Sequence, residues 1–144
     1  MHFVLDASLT MNWCFEDEQD DYADQVLRLF QKTQTKAIVP VLWCSEIVNI
    51  LRSAHLRKRI TYADQVQFLA FLTQLDIQVI NIQLDLNELL SITNKFNLSA
   101  YDATYLYLAI VHKLPLATLD KNLKKAALDA EIGCYLDQNL MAVG

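Results

Sequence analysis

Glycine and proline are scarce, with two of each in 144 residues. A chain so poor in both is neither collagen-like nor linker-rich, and 53% apolar against 20% charged residues excludes intrinsic disorder. Cys14, Cys44 and Cys134 form no Cys-x-x-Cys pair. An odd number of thiols without a secretion signal fits reduced, packed cysteines rather than a disulfide framework. His2, His55 and His112 lie too far apart in sequence for a local pair of metal ligands, so zinc is not expected. Basic charge is also in deficit: 12 Lys and Arg against 17 Asp and Glu give −5, and any nucleic-acid contact must therefore be local. The longest apolar runs, Ala37 to Cys44 and Tyr105 to Val111, fall far short of the roughly 20 residues that cross a bilayer, so no membrane span is expected. Met1-His2-Phe3-Val4-Leu5-Asp6 reads as the start of the fold rather than a cleaved signal, and cytoplasmic residence follows as an expectation. At this length one domain over residues 1–144 is expected.

What is present is a regular alternation. Phe3 to Leu5, Ala37 to Val39, Ile77 to Ile80 and Leu116 to Thr118 are short apolar runs closed by Asp, Pro or polar residues, the pattern of buried strands. Tyr22 to Lys32, Leu42 to Arg57, Thr61 to Leu75, Leu84 to Lys95, Ser99 to His112 and Lys121 to Asp129 carry helical spacing. A weakly marked strand is expected at Cys134 to Leu136. Strands alternating with helices predict an α/β fold with a central parallel sheet of four to five short strands flanked by helices.

In such sheets chemistry gathers beyond the carboxyl ends of the strands. Asp6 ends the first strand, Asp120 follows the last strong one, and Asp102 lies in the first turn of the helix opened by Ser99. Each has an ordinary alternative as a helix cap. Asp102 is harder to dismiss, because Leu106 and Ala109 share its face on a helix apolar nearly all round. Glu46 is too deep in its helix to cap it and borders the apolar arc of Trp43, Ile47, Ile50, Leu51 and Ala54. A partly desolvated carboxylate there needs a partner, either an arginine or a metal shared with the other acids.

Should the four acids converge, charges about 4 Å apart repel by roughly 4 kcal/mol at an effective dielectric near 20. Either some are protonated or a divalent cation neutralises them. An all-oxygen donor set selects magnesium, with manganese as a substitute, over zinc. Ser8 and Thr118, two residues from Asp6 and Asp120, either hold a metal-bound water or a substrate phosphate, or make local turn or cap hydrogen bonds.

These residues resemble the PIN-domain ribonucleases, and within them the VapC-type toxins of bacterial toxin–antitoxin pairs. Three blocks carry the likeness. The first is Val4-Leu5-Asp6-Ala7-Ser8-Leu9 with Trp13 and the acidic Glu16-Asp17-Glu18; the second is Val39-Pro40-x-Leu42-x-x-x-Glu46-Ile47-x-Asn49-x-Leu51. The third joins Leu98-Ser99-Ala100-Tyr101-Asp102-Ala103-x-Tyr105-x-x-Leu108-Ala109 to Leu114-Pro115-Leu116-Ala117-Thr118-x-Asp120-x-x-Leu123. Tyr107 departs from the pattern by its bulk. The resemblance implies a PIN-like fold with Asp6, Glu46, Asp102 and Asp120 as catalytic acids in one groove. Asp6 and Asp102 would be direct magnesium ligands, Asp120 would help bind metal or orient the attacking water, and Glu46 would act through water. It further implies endonucleolytic hydrolysis of RNA leaving a 5′-phosphate and a 3′-hydroxyl, a small antitoxin partner covering the groove, and a homodimer. The rival reading is a PIN-fold module that binds RNA or protein without cutting.

RNA must still approach an acidic chain. Glu16, Asp17, Glu18, Asp20, Asp21 and Asp24 hold six of the seventeen acids, so the remainder carries −5 + 6 = +1. Arg57-Lys58-Arg59, and Lys121, Lys124 and Lys125 beside Asp120, are candidates for phosphate contacts, with solvated helix and turn surfaces as the alternative.

Overall fold

A computed structural model describes residues 2–136. Strands β1 (His2–Leu5), β2 (Lys36–Pro40), β3 (Ile77–Ile80) and β4 (Leu116–Ala117) form one parallel sheet in the order β3-β2-β1-β4. Phe3 stands opposite Ala37, Val4 opposite Leu116, and Val39 opposite Val79. Helices α1 (Ala7–Asn12), α2 (Asp21–Lys32), α3 (Val41–Leu56), α4 (Tyr62–Thr73), α5 (Leu86–Phe96), α6 (Ala100–His112) and α7 (Lys121–Asp129) flank it, with a turn of 3₁₀ helix at Glu16–Glu18.

The central strands are unbroken apolar runs because both faces are covered. Phe3, Val4, Leu5, Ala37 and Val39 are all fully buried. At the edge, β3 leaves Gln78 and Val79 exposed. The expected strand at Cys134 to Leu136 is reduced to a single parallel bridge between Leu116 and Cys134. Leu136 has φ +62°, which takes it out of the extended region, so the sheet has four strands among the described residues. The short α1 lacks the length that helical spacing needs to declare itself, and Asp6 starts it by accepting from Leu9 N.

From β1 the chain moves to β2 and β3 on one side, then returns to place β4 on the other side of β1. This reversal opens a crevice at the carboxyl ends of β1 and β4. Helix α6 packs across β1, β2 and β4 with every residue from Ala103 to Ala109 buried, and its first turn reaches that crevice. Tyr107 is accommodated at the seam with α5, where its hydroxyl donates to Glu88 Oε2 at 2.8 Å. Helix α3 is tied down through Trp43 Nε1, which donates to Thr10 Oγ1 at 3.1 Å; that hydroxyl donates in turn to the Asp6 carbonyl at 2.7 Å.

Candidate active site

Asp6 leaves β1 in extended conformation and turns its carboxylate back under α1. It is 4% exposed. Three donors surround it. Ser8 Oγ lies 2.8 Å from both oxygens, Leu9 N donates to Oδ1 at 3.0 Å, and Thr118 Oγ1 donates to Oδ2. The two hydroxyls are themselves fixed from behind, Ser8 Oγ by Leu119 N at 3.2 Å and Thr118 Oγ1 by Asp120 N at 3.0 Å. Each hydroxyl has one proton, and Asp6 takes it. Ser8 and Thr118, expected at the substrate, therefore lock the segment after β4 onto the acid that ends β1.

Burial outweighs these donors and pushes the Asp6 carboxyl up to about 6; Thr118, Leu9 and Ser8 pull it down, while the charge of Asp102 adds to the rise. Glu46 is raised by partial burial, against the Tyr105 hydroxyl that lowers it, and by Asp102. Asp102 is raised by partial burial and by Asp120, with the Ser99 hydroxyl opposing. Asp102 thus stands at the centre: it acts on Asp6 and Glu46 and is acted on by Asp120. The four acids, separated by up to 114 positions (120 − 6), share one electrostatic site. No basic side chain neutralises them, since Arg59 makes the only ion pairs among the described residues, with Asp17 and Glu18.

The arginine partner considered for Glu46 is replaced by Tyr105, whose hydroxyl donates to Oε1 at 2.5 Å. Tyr105 is 1% exposed, and its own proton is held firmly by burial and by Glu46. Sequence reasoning missed this residue, because a tyrosine inside an apolar helix reads as core. Its position three after Asp102, on the turn facing α3, was the available signal. Tyr105→Phe should leave Glu46 without its donor, raise the Glu46 pKa further and lower stability by about 1–3 kcal/mol. In a double-mutant cycle with Glu46→Gln, measured by urea unfolding, the two effects should be strongly non-additive.

The structure does not draw the expected ligand trio of Asp6, Asp102 and Asp120 into a closed cage. No group of three or more His, Cys, Asp or Glu side chains among the described residues is close enough to form a metal cage. Asp120 has a local occupation, with Oδ1 accepting from Leu123 N at 2.9 Å to cap α7, and Asp6 is held by its hydroxyl donors. The donor chemistry nevertheless suits a hard divalent cation: four carboxylates, none of them ion-paired to a basic side chain among the described residues, and three acids raised above their ordinary range. Of the lysines, Lys121 opens α7 next to Asp120, whereas Lys124 Nζ lies 5.8 Å from the Tyr22 ring centroid on the α2 side.

The family model of the PIN domain matches residues 3–128. This chain belongs to the PIN domain family. PIN domains are generally nucleases and typically use a divalent metal. The PIN fold here is similar to that of PAE2754 from Pyrobaculum aerophilum, with TM-score 0.71 and 20% identity over 99% of this chain and 94% of that one. Among curated proteins none matches this PIN domain. Within the described residues no helix of the domain is long and apolar enough to cross a membrane.

Proposed function

We propose that this PIN domain is a magnesium-dependent endoribonuclease and the VapC-type toxin of a type II toxin–antitoxin pair. The observation that carries the nuclease reading is the unneutralised acid quartet at the β1–β4 crevice, with Asp102 coupled to Asp6, Glu46 and Asp120. Asp6 and Asp102 would hold the cation, Asp120 would join them or orient water, and Glu46 would act through water. A cation bound there supplies hydroxide near neutral pH and charge stabilisation at the phosphoryl oxygens. The chain's own contribution is placement. Ser8 and Thr118 fix the direction of the Asp6 carboxylate, Tyr105 fixes Glu46, and the Ser99 hydroxyl accepts from Asp102 N at 3.1 Å to set the first turn of α6.

The toxin assignment, the antitoxin and homodimerisation rest on the sequence blocks that resemble VapC-type toxins, and a single domain across residues 1–144 rests on the length of the chain. Purified protein should cut single-stranded RNA with magnesium and not with chelator, leaving 5′-phosphate ends. RNA that is bound but stays whole with magnesium would assign the chain to a binding module instead. Growth arrest on inducible expression, relieved by Asp102→Asn or by a co-expressed neighbouring antitoxin frame, tests the toxin role.

RNA attraction is expected to be local. Neutralising Lys121, Lys124 and Lys125 together should flatten the dependence of log affinity on log salt by up to about 2, at roughly 0.7 per phosphate contact on a single strand. A salt titration of RNA binding checks this, and an unchanged slope would leave α7 a solvated face.

A further inference from the structure

Glu46 does not stand alone on its helix face. At about 100° per residue, Glu46, Asn49, Ile50, Ser53 and Arg57 fall within about 100° of one another, so one stripe runs down α3 from the acid site. From Glu46 to Arg57 it covers about 16 Å at about 1.5 Å per residue. Its far part lines a cavity of about 340 Å³ together with Phe15 and Arg59.

The chemistry of that cavity is sorted by position. Its floor is apolar, made by Phe15, Ile50 and Ala54. One wall is Arg59, whose guanidinium lies 4.0 Å from the Phe15 ring centroid and is already bound to Asp17 at 2.8 Å and Glu18 at 3.6 Å. Its charge is spent. The other rim carries Asn49, Ser53 and Arg57, and none of these three side chains has a hydrogen-bond or ion partner among the described residues. An unpaired amide, hydroxyl and guanidinium in line on the exposed rim, beside a wall whose guanidinium is stacked and ion-paired, form a donor-rich channel.

We infer that the Asn49–Ser53–Arg57 rim of α3 is a sugar–phosphate track that carries the flank of single-stranded RNA away from the acid site. The inference rests on the ribonuclease reading and deepens it by naming how a longer strand is held. Arg57 matches phosphate oxygens with its planar fork, while Asn49 and Ser53 supply neutral hydrogen bonds that do not depend on base identity. Continuity with Glu46 on the same face selects a substrate strand as occupant. The contact is backbone-directed, so it adds affinity and register rather than sequence choice.

The test is binding of oligouridine of about ten nucleotides, compared with a uridine dinucleotide, in chelator so that no strand is cut. Arg57→Ala should weaken the longer oligomer by about 3- to 10-fold at low salt and flatten its salt slope by about 0.7, and adding Asn49→Ala and Ser53→Ala should weaken it further. Arg57→Lys should restore most of the slope, since it keeps the charge. Lys32→Ala, which removes one charge from the end of α2, should leave the slope as it is. Equal flattening by Lys32→Ala, or no length-dependent loss in Arg57→Ala while wild type binds and cuts RNA, would overturn the track alone. Wild type that neither binds nor cuts RNA would overturn both the track and the ribonuclease reading.

Discussion

Asp6→Asn should make the metal-free protein more stable near neutral pH while abolishing RNA cleavage. Folded protein keeps a proton on Asp6 up to about pH 6, whereas the unfolded chain releases it near 3.8. Between those values the native state binds more protons, so stability falls as pH rises through the window and the loss is complete above it. The difference between 3.8 and about 6 sets a ceiling near 3 kcal/mol for this group. Asn removes the charge and keeps the shape; with its carbonyl oxygen in the Oδ2 position it still accepts from Ser8 and Thr118, while its NH2 group gives up the bond from Leu9 N, which offsets part of the gain. A gain of about 1–2 kcal/mol at pH 7 is therefore expected, vanishing below about pH 4 where both proteins carry a neutral group. Urea unfolding across this range checks the sign. Magnesium should reverse the order: at about 100 times its dissociation constant it adds about 2.7 kcal/mol to wild type, and little to a variant that has lost a ligand. An Asp6→Asn protein that is less stable at pH 7 than at pH 4, relative to wild type, would mean that the buried carboxylate is not the source of the cost.

Much of this site is legible in the sequence because the strand ends announce it. Asp6 and Asp120 each follow an apolar run, and the acid that ends a buried strand must lie on the carboxyl rim of the sheet. The cap alternatives for Asp6 and Asp120 are what the hydrogen bonds show, since both accept helix N–H groups, and capping does not take either acid away from the strand ends. What stays hidden is pairing across distance. Nothing local connects Tyr105 with Glu46, 59 positions apart, or assigns the protons of Ser8 and Thr118 to Asp6 rather than to a ligand. The boundaries of the helices shift by a residue or two, as expected where fraying and capping decide them, and the strand order depends on a crossover that periodicity does not encode. The polar stripe on α3 is half legible: the sequence places Arg57 in a basic turn, but its alignment with Glu46 becomes meaningful only once Phe15 and Arg59 line the same cavity.

The acid whose loss should reach furthest is Asp102. Its charge raises both Asp6 and Glu46, so Asp102→Asn should let those two ionise at lower pH, closing part of the acid-side stability window predicted for Asp6. The helix itself should not suffer, because Ser99 Oγ accepts from the backbone N–H of residue 102, which Asn retains. Activity should fall by at least about a hundredfold, since even the outer partners of a metal ligand commonly cost 10- to 100-fold when removed. Asp120→Asn makes the informative contrast. Asn serves the α7 cap nearly as well as Asp, and Asp120 acts on Asp102 without an effect on Asp6 or Glu46. Its loss should lower the Asp102 pKa and weaken cleavage less than loss of Asp102 itself. Calorimetric titration with magnesium separates these cases: Asp102→Asn should abolish the binding heat, and Asp120→Asn should reduce the affinity while keeping it measurable. Asp102→Asn protein that binds magnesium and cuts RNA as wild type does would move the centre of the site away from α6 and leave the quartet as four helix-end carboxylates in a shared crevice.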